Sequence, residues 1–119
     1  MIFLLNARIM NMRNYVVAAV SGLALILSGQ VVAADVEAGK RKAQEVCASC
    51  HGLDGNSPAP NFPKIGGQAR TYLEKALNDY KSGERKDPIM ASMAANLSKE
   101  DIENLAFYYS GQSGLHVKR

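Results

Sequence analysis

Two cysteines three positions apart, with a histidine directly after the second, constrain this chain more than any other feature: Cys47-Ala48-Ser49-Cys50-His51. At the end of a helix, thiols at this spacing can add across vinyl groups on neighbouring pyrrole rings of a haem, and the adjacent imidazole comes under the iron as proximal ligand. Three other chemistries use such residues. A thioredoxin-type redox pair belongs beside a strand-helix-strand pattern, and no segment here alternates like a strand between turn signals. A structural zinc site takes four ligands, whereas residues 35–119 offer only Cys47, Cys50, His51 and His116, two of them adjacent. A plain disulfide suits an oxidising compartment but gives His51 no task. One haem c bound covalently through Cys47 and Cys50, with His51 on the iron, uses all three residues.

Residues 1–34 set the compartment. Arg8 and Arg13 precede an apolar run from Tyr15 to Leu27, broken by Ser21 and Gly22, and the stretch ends in Val32-Ala33-Ala34. This charged, apolar, small-residue order predicts a secretory signal peptide cleaved before Asp35 and a periplasmic mature chain; Met10 or Met12 would serve equally as its start. The alternative is an uncleaved anchor, because the stretch approaches the ~20 apolar residues that span a bilayer. Losing Arg8 and Arg13 takes the basic count from 14 to 12 against 11 acidic residues, so the net charge falls from +3 to +1. A nearly neutral domain is no nucleic-acid binder. Residues 35–119 read as one domain without Trp. Domains this small usually need a staple, so the chain without haem is expected to be largely unfolded.

Three segments have helical periodicity, and the fold class predicted is all-α. The first helix runs from about Val36 to Cys47, with Ala38, Lys42, Ala43 and Val46 along one side. From Gly52 to Arg70 the clustering of Gly, Pro, Asn and Ser, including Pro58, Pro60 and Pro63, predicts an ordered loop. The next helix is expected to open on a Thr71/Glu74 capping box, to place Tyr72, Leu73, Ala76, Leu77 and Tyr80 on one face, and to close at Gly83. A linker, Glu84 to Pro88, leads to a turn or two of helix over Ile89 to Ala95. Ser98 caps the last helix, which has Asp101 in its first turn, Ile102, Leu105, Ala106 and Tyr109 at core spacing, and Gly111 at its end.

With these residues in view, Cys47 to Tyr109 resembles the class I c-type cytochromes of bacteria, in particular one module of the periplasmic cytochromes with two tandem haem modules. The matching residues are Cys-Ala-Ser-Cys-His-Gly at 47–52, Asp-Gly-Asn-Ser-Pro-Ala-Pro-Asn-Phe-Pro at 54–63, Gly-Gly-Gln at 66–68, Tyr72-Leu73, Met90, Leu97-Ser98 and Leu105-Ala106. The resemblance implies crossing first and last helices that enclose the haem, with Gly39 at the close approach. It also implies that the backbone carbonyl of Pro63 accepts a hydrogen bond from His51. One haem motif is present where the two-module relatives have two, so no transfer between haems within one chain is expected.

The sixth iron position needs a donor, and residues 35–119 contain two methionines, Met90 and Met93, either of which could ligate. Alignment through Leu97-Ser98 implies Met90 as axial ligand and Met93 as core filler; His116, beyond Gly111, is expected to be solvated. Histidine with methionine raises the reduction potential and fills both axial positions, which leaves electron transfer and no bond-making chemistry. The expected role is a one-electron carrier between periplasmic or membrane redox proteins, not an enzyme. The alternatives are a haem c subunit fixed in a dehydrogenase or oxidase complex and, behind it, a haem enzyme or gas sensor. Lys81, Arg85 and Lys86 form the densest basic cluster, a candidate docking patch or simply a solvated turn.

Overall fold

Local capping signals begin most of the elements. In the computed structural model, which describes residues 33–116, helix α1 spans Val36–Lys42. It opens on Asp35, whose carboxylate accepts the backbone N–H groups of Glu37 at 2.8 Å and Ala38 at 3.2 Å. The helix does not stop at Cys47 as expected. Ala43–Cys47 form a π-helical turn, and helix α2, Ala48–His51, follows directly. The wider i→i+5 turn rotates the cysteine-histidine segment relative to α1. The signal peptide expected over residues 1–34 lies almost wholly outside the described residues.

Helix α3, Arg70–Ser82, corrects the Thr71 capping box: it starts one residue earlier, on Ala69, with no side-chain cap. The Glu74 carboxylate is held instead by Arg70, Nε to Oε1 at 2.6 Å. A charged partner one turn back competes successfully with an exposed backbone N–H. Gly83 ends α3 with φ 83°, a left-handed conformation that costs glycine least. Helix α4, Pro88–Ala95, has the expected extent of about two turns and begins one residue earlier than Ile89, because Asp87 caps it, accepting from the Met90 N–H at 2.8 Å, with Pro88 in the first turn. Helix α5, Lys99–Ser110, starts on the expected Ser98, where a full capping box forms with Asp101.

The core lies where α1 crosses α5 and where α3 packs on α4 and α5. Along α5, Ile102, Leu105, Ala106 and Tyr109 are all buried, as their spacing predicts. Each of the larger aliphatic side chains contributes roughly 1.5–3 kcal/mol on burial. Along α1 and the π turn the expected side is only partly the seam: Ala43 is buried as expected and Gly39 is buried with it, while Ala38, Lys42 and Val46 are only half-buried. A side chain at Gly39 would run into the carbonyl of Asn104 and come within 2.8 Å of the Tyr108 Cβ, so the crossing requires glycine. The loop from Gly52 to Ala69 is ordered by its own backbone. Ile65 and Gly66 donate to the Gly55 carbonyl at 2.8 and 3.0 Å, and Gly67 donates to Tyr109 of α5 at 2.9 Å. Among the described residues there is no strand, and no helix is long and apolar enough to cross a membrane.

Candidate haem site

The cysteine-histidine motif opens into a cavity of about 270 Å³ with a mostly apolar wall. Cys47 lines it from the π turn and His51 from the end of α2. Leu73, Leu77 and Tyr80 line it from α3, Met90 from α4, and Leu105 and Tyr109 from α5. The apolar face expected on α3 is therefore a cavity wall more than a packed core: Leu73 is buried, Ala76, Leu77 and Tyr80 are half-buried, and Tyr72 is exposed. Leu73 and Tyr72 at the start of the face and Tyr80 at its end all reach the same cavity.

His51 is buried, and its Nδ1 lies 2.8 Å from the carbonyl oxygen of Pro63. A carbonyl only accepts, so Nδ1 carries the proton and Nε2 keeps the lone pair that a metal needs. Phe62 stands edge-on to the imidazole, with ring centroids 6.5 Å apart. The Pro63 contact has the geometry that the resemblance implied.

Cys47 and Cys50 are free thiols, both half-buried, so the disulfide alternative is not realised. Burial pushes the Cys47 thiol up to about 11. Among the described residues, moreover, no three of His, Cys, Asp and Glu gather as a metal cluster. A mostly apolar cavity with a lone-pair imidazole, a thiol and a thioether in its wall fits a porphyrin that carries its own iron ligands in the plane.

The two methionines separate. Met90 lines the cavity, while Met93 is 42% exposed and is not a wall residue. The expectation that Met93 fills the core is therefore overturned. Three positions along a helix leave Met93 offset by about 60° from the direction of Met90, and on α4 that offset is enough to place it partly in solvent. Asp87, within the expected Glu84–Pro88 linker, fixes the backbone at Met90 by capping α4. The Asp87-Pro88 dipeptide, an N-cap residue followed by proline at N1, was the available signal.

A pair of tyrosine hydroxyls beside the motif is not foreshadowed by any sequence pattern. Tyr109 donates to the carbonyl of Gly52 at 3.2 Å and Tyr108 donates to that of Leu53 at 2.9 Å. Consecutive tyrosines of α5 thus hold consecutive carbonyls just beyond His51. Periodicity marks Tyr109 as core but says nothing of where its hydroxyl goes. The basic cluster is largely engaged: Lys81 donates to the Leu97 carbonyl, and Arg85 donates to the Tyr72 hydroxyl at 3.1 Å and lies over the Tyr80 ring at 4.8 Å. His116 is exposed.

Comparison with known proteins agrees with this site. Residues 36–111 match the model of the family described as Cytochrome c. Cytochrome c4 of Pseudomonas aeruginosa is 48% identical over 91 residues, covering 76% of this chain and 45% of that protein. Cytochrome c-554(548) of Halomonas halodenitrificans is 45% identical over 83 residues, covering 67% of this chain and 99% of that one. The crystal structure of reduced recombinant cytochrome c4 from Pseudomonas stutzeri superposes with a TM-score of 0.64 at 48% identity, covering 70% of this chain and 48% of that one. The chain spans about half the length of the cytochrome c4 relatives. With the family model covering both cysteines, His51 and the cavity wall, this chain belongs to the cytochrome c family and binds one haem c covalently.

Proposed function

We propose that the protein is a one-electron carrier of the periplasm, with His51 Nε2 and the Met90 thioether as the two axial ligands of its haem iron. Haem, when bound, supplies a ferric/ferrous couple. The chain's own residues do the rest. Cys47 and Cys50 tether the porphyrin, and Pro63 holds the His51 ring through Nδ1 so that Nε2 keeps its lone pair. The apolar wall would limit water around the iron, and Met90 would offer it a thioether donor of the kind that raises the potential. Two filled axial positions leave no site for oxygen or peroxide, so the proposed role is transfer to redox partner proteins without catalysis.

The observation that carries this reading is the presence of Met90 and His51 in the wall of one cavity while Met93 is exposed elsewhere on the surface of α4. Met90→Ala is expected to abolish the weak far-red ferric absorption that reports sulfur ligation and to let the ferrous protein bind carbon monoxide. Met93→Ala should retain that absorption and exclude carbon monoxide. The reverse pattern would reassign the ligand, and carbon monoxide binding by the unmodified protein would favour an enzyme or sensor.

Export remains part of the proposal. The Asp35 backbone N–H donates to the Asn104 side chain at 2.7 Å, so cleavage before Asp35 would leave the new amino group on an acceptor of α5. Intact mass of the purified native protein reads leader removal and haem attachment together.

A further inference from the structure

The rings of Tyr108 and Tyr109 belong to the buried core, and phenylalanine would fill the same space. A buried hydroxyl costs free energy unless it is hydrogen-bonded, so the two hydroxyls point to a use for the bonds they make. Both bonds end on the loop that begins directly after His51. Tyr109 donates to the Gly52 carbonyl at 3.2 Å, and Tyr108 donates to the Leu53 carbonyl at 2.9 Å. The Gly52 carbonyl already accepts the Gly55 N–H at 3.1 Å, so the Tyr109 bond fixes its direction instead of rescuing an orphan acceptor. Tyr109 also holds the far end of the loop, where its own backbone carbonyl accepts the Gly67 N–H at 2.9 Å. One turn of α5 therefore clamps both ends of this loop.

Pro63 lies between the clamped ends, and its carbonyl is the acceptor 2.8 Å from His51 Nδ1. The imidazole precedes the first clamped residue, and the length of this bond depends on how residues 51 and 63, twelve apart, are placed relative to one another. A rigid helix that grips the loop beside both partners sets that placement. We propose that the hydroxyls of Tyr108 and Tyr109 are positioning groups for the proximal ligand, keeping the His51–Pro63 hydrogen bond short and thereby holding the reduction potential down. This assignment rests on the haem-carrier reading given above. Donation from Nδ1 makes the imidazole a more basic ligand, which favours ferric iron, and a slackened bond shifts the balance toward the ferrous form.

The test uses purified holoprotein, redox titration and NMR of the diamagnetic ferrous state, in which the His51 Nδ1 proton is followed directly. Tyr109→Phe is expected to move that proton upfield and to speed its exchange with solvent. It should also raise the equilibrium constant for reduction by roughly two- to fivefold, tenfold being ~59 mV for one electron. Tyr108→Phe should shift both readouts in the same direction, and it leaves the cavity untouched because Tyr108 is not a wall residue. Ser98→Ala is the control. It weakens α5 at the opposite end from the tyrosines, and should lower the melting temperature with neither the proton nor the potential moved. A tyrosine variant that melts earlier while its Nδ1 proton stays in place overturns the assignment. So does a changed potential with an unmoved proton, which would reflect hydroxyl polarity alone. If Tyr109→Phe fails to mature, Tyr108→Phe decides on the same readouts. Failure of the haem-carrier reading would look different: the unmodified protein itself would lack covalent haem or sulfur ligation.

Discussion

Gly39 shows how one residue decides a helix crossing. Alanine is the better helix former by about 1 kcal/mol, so propensity alone predicts that Gly39→Ala stabilises α1. The added methyl group would instead strike the Asn104 carbonyl and approach the Tyr108 Cβ at 2.8 Å. A backbone carbonyl inside α5 cannot turn aside, and overpacking of this kind costs roughly 1–3 kcal/mol or more. We therefore expect a net loss of stability, read as a lower denaturant midpoint of the holoprotein. A midpoint at or above that of the unmodified protein would show that the helices separate at little cost. The same contrast holds at Tyr109, where the sequence marks a core residue and only the fold shows the hydroxyl on Gly52.

At the scale of elements, the capping box of α5 carries a prediction in pH. Burial by itself would push the Asp101 carboxyl up, but the Ser98 backbone and hydroxyl donors and the Lys42 ammonium outweigh it and hold the group below its ordinary value. A depressed carboxylate contributes stability above its unfolded value, near ~3.9, and that contribution is lost as pH falls through the folded value. Asp101→Asn should therefore flatten the acid limb of the stability curve and lower the plateau above it. Ser98→Ala removes the other half of the box and should cost ~1 kcal/mol. Denaturant titrations across the acid range measure both, and an unchanged acid limb in Asp101→Asn would rule out this linkage. The Thr71 box failed, by contrast, because Glu74 had a charged partner at Arg70, a competition that the capping pattern does not register.

The whole molecule is organised around a cavity, and its stability should depend on what fills it. Left unfilled, the mostly apolar wall of this cavity, which is partly open to solvent, would face water at a cost of roughly 25 cal/mol per Å² of apolar surface exposed. A domain of this size is stable by only about 4–13 kcal/mol in total. We expect the Cys47→Ala, Cys50→Ala double variant, produced without haem, to lose most of its far-UV helical signal, and native-like helicity with a cooperative melt would contradict this. The tether matters for the same reason, since a group bound to the folded state alone stabilises it by mass action and a covalent bond prevents its loss.

The sequence by itself determined the chemistry and most of the element boundaries. Cys47, Cys50 and His51 are contiguous, and the caps at Ser98 and Gly83 act over four or five residues, so local spacing carries them. Local pattern also located the buried stripe of α5, because a helix in contact with a core repeats its apolar residues every turn. Only the tertiary structure decided how the rest converges. Met90 reaches the cavity of His51 and Met93 does not, Pro63 meets the imidazole from across a loop, and the α3 face lines a cavity instead of filling a core. These outcomes depend on contacts between residues distant in the chain. The π turn at Ala43–Cys47 adds a rotation that no periodicity in those five residues announces.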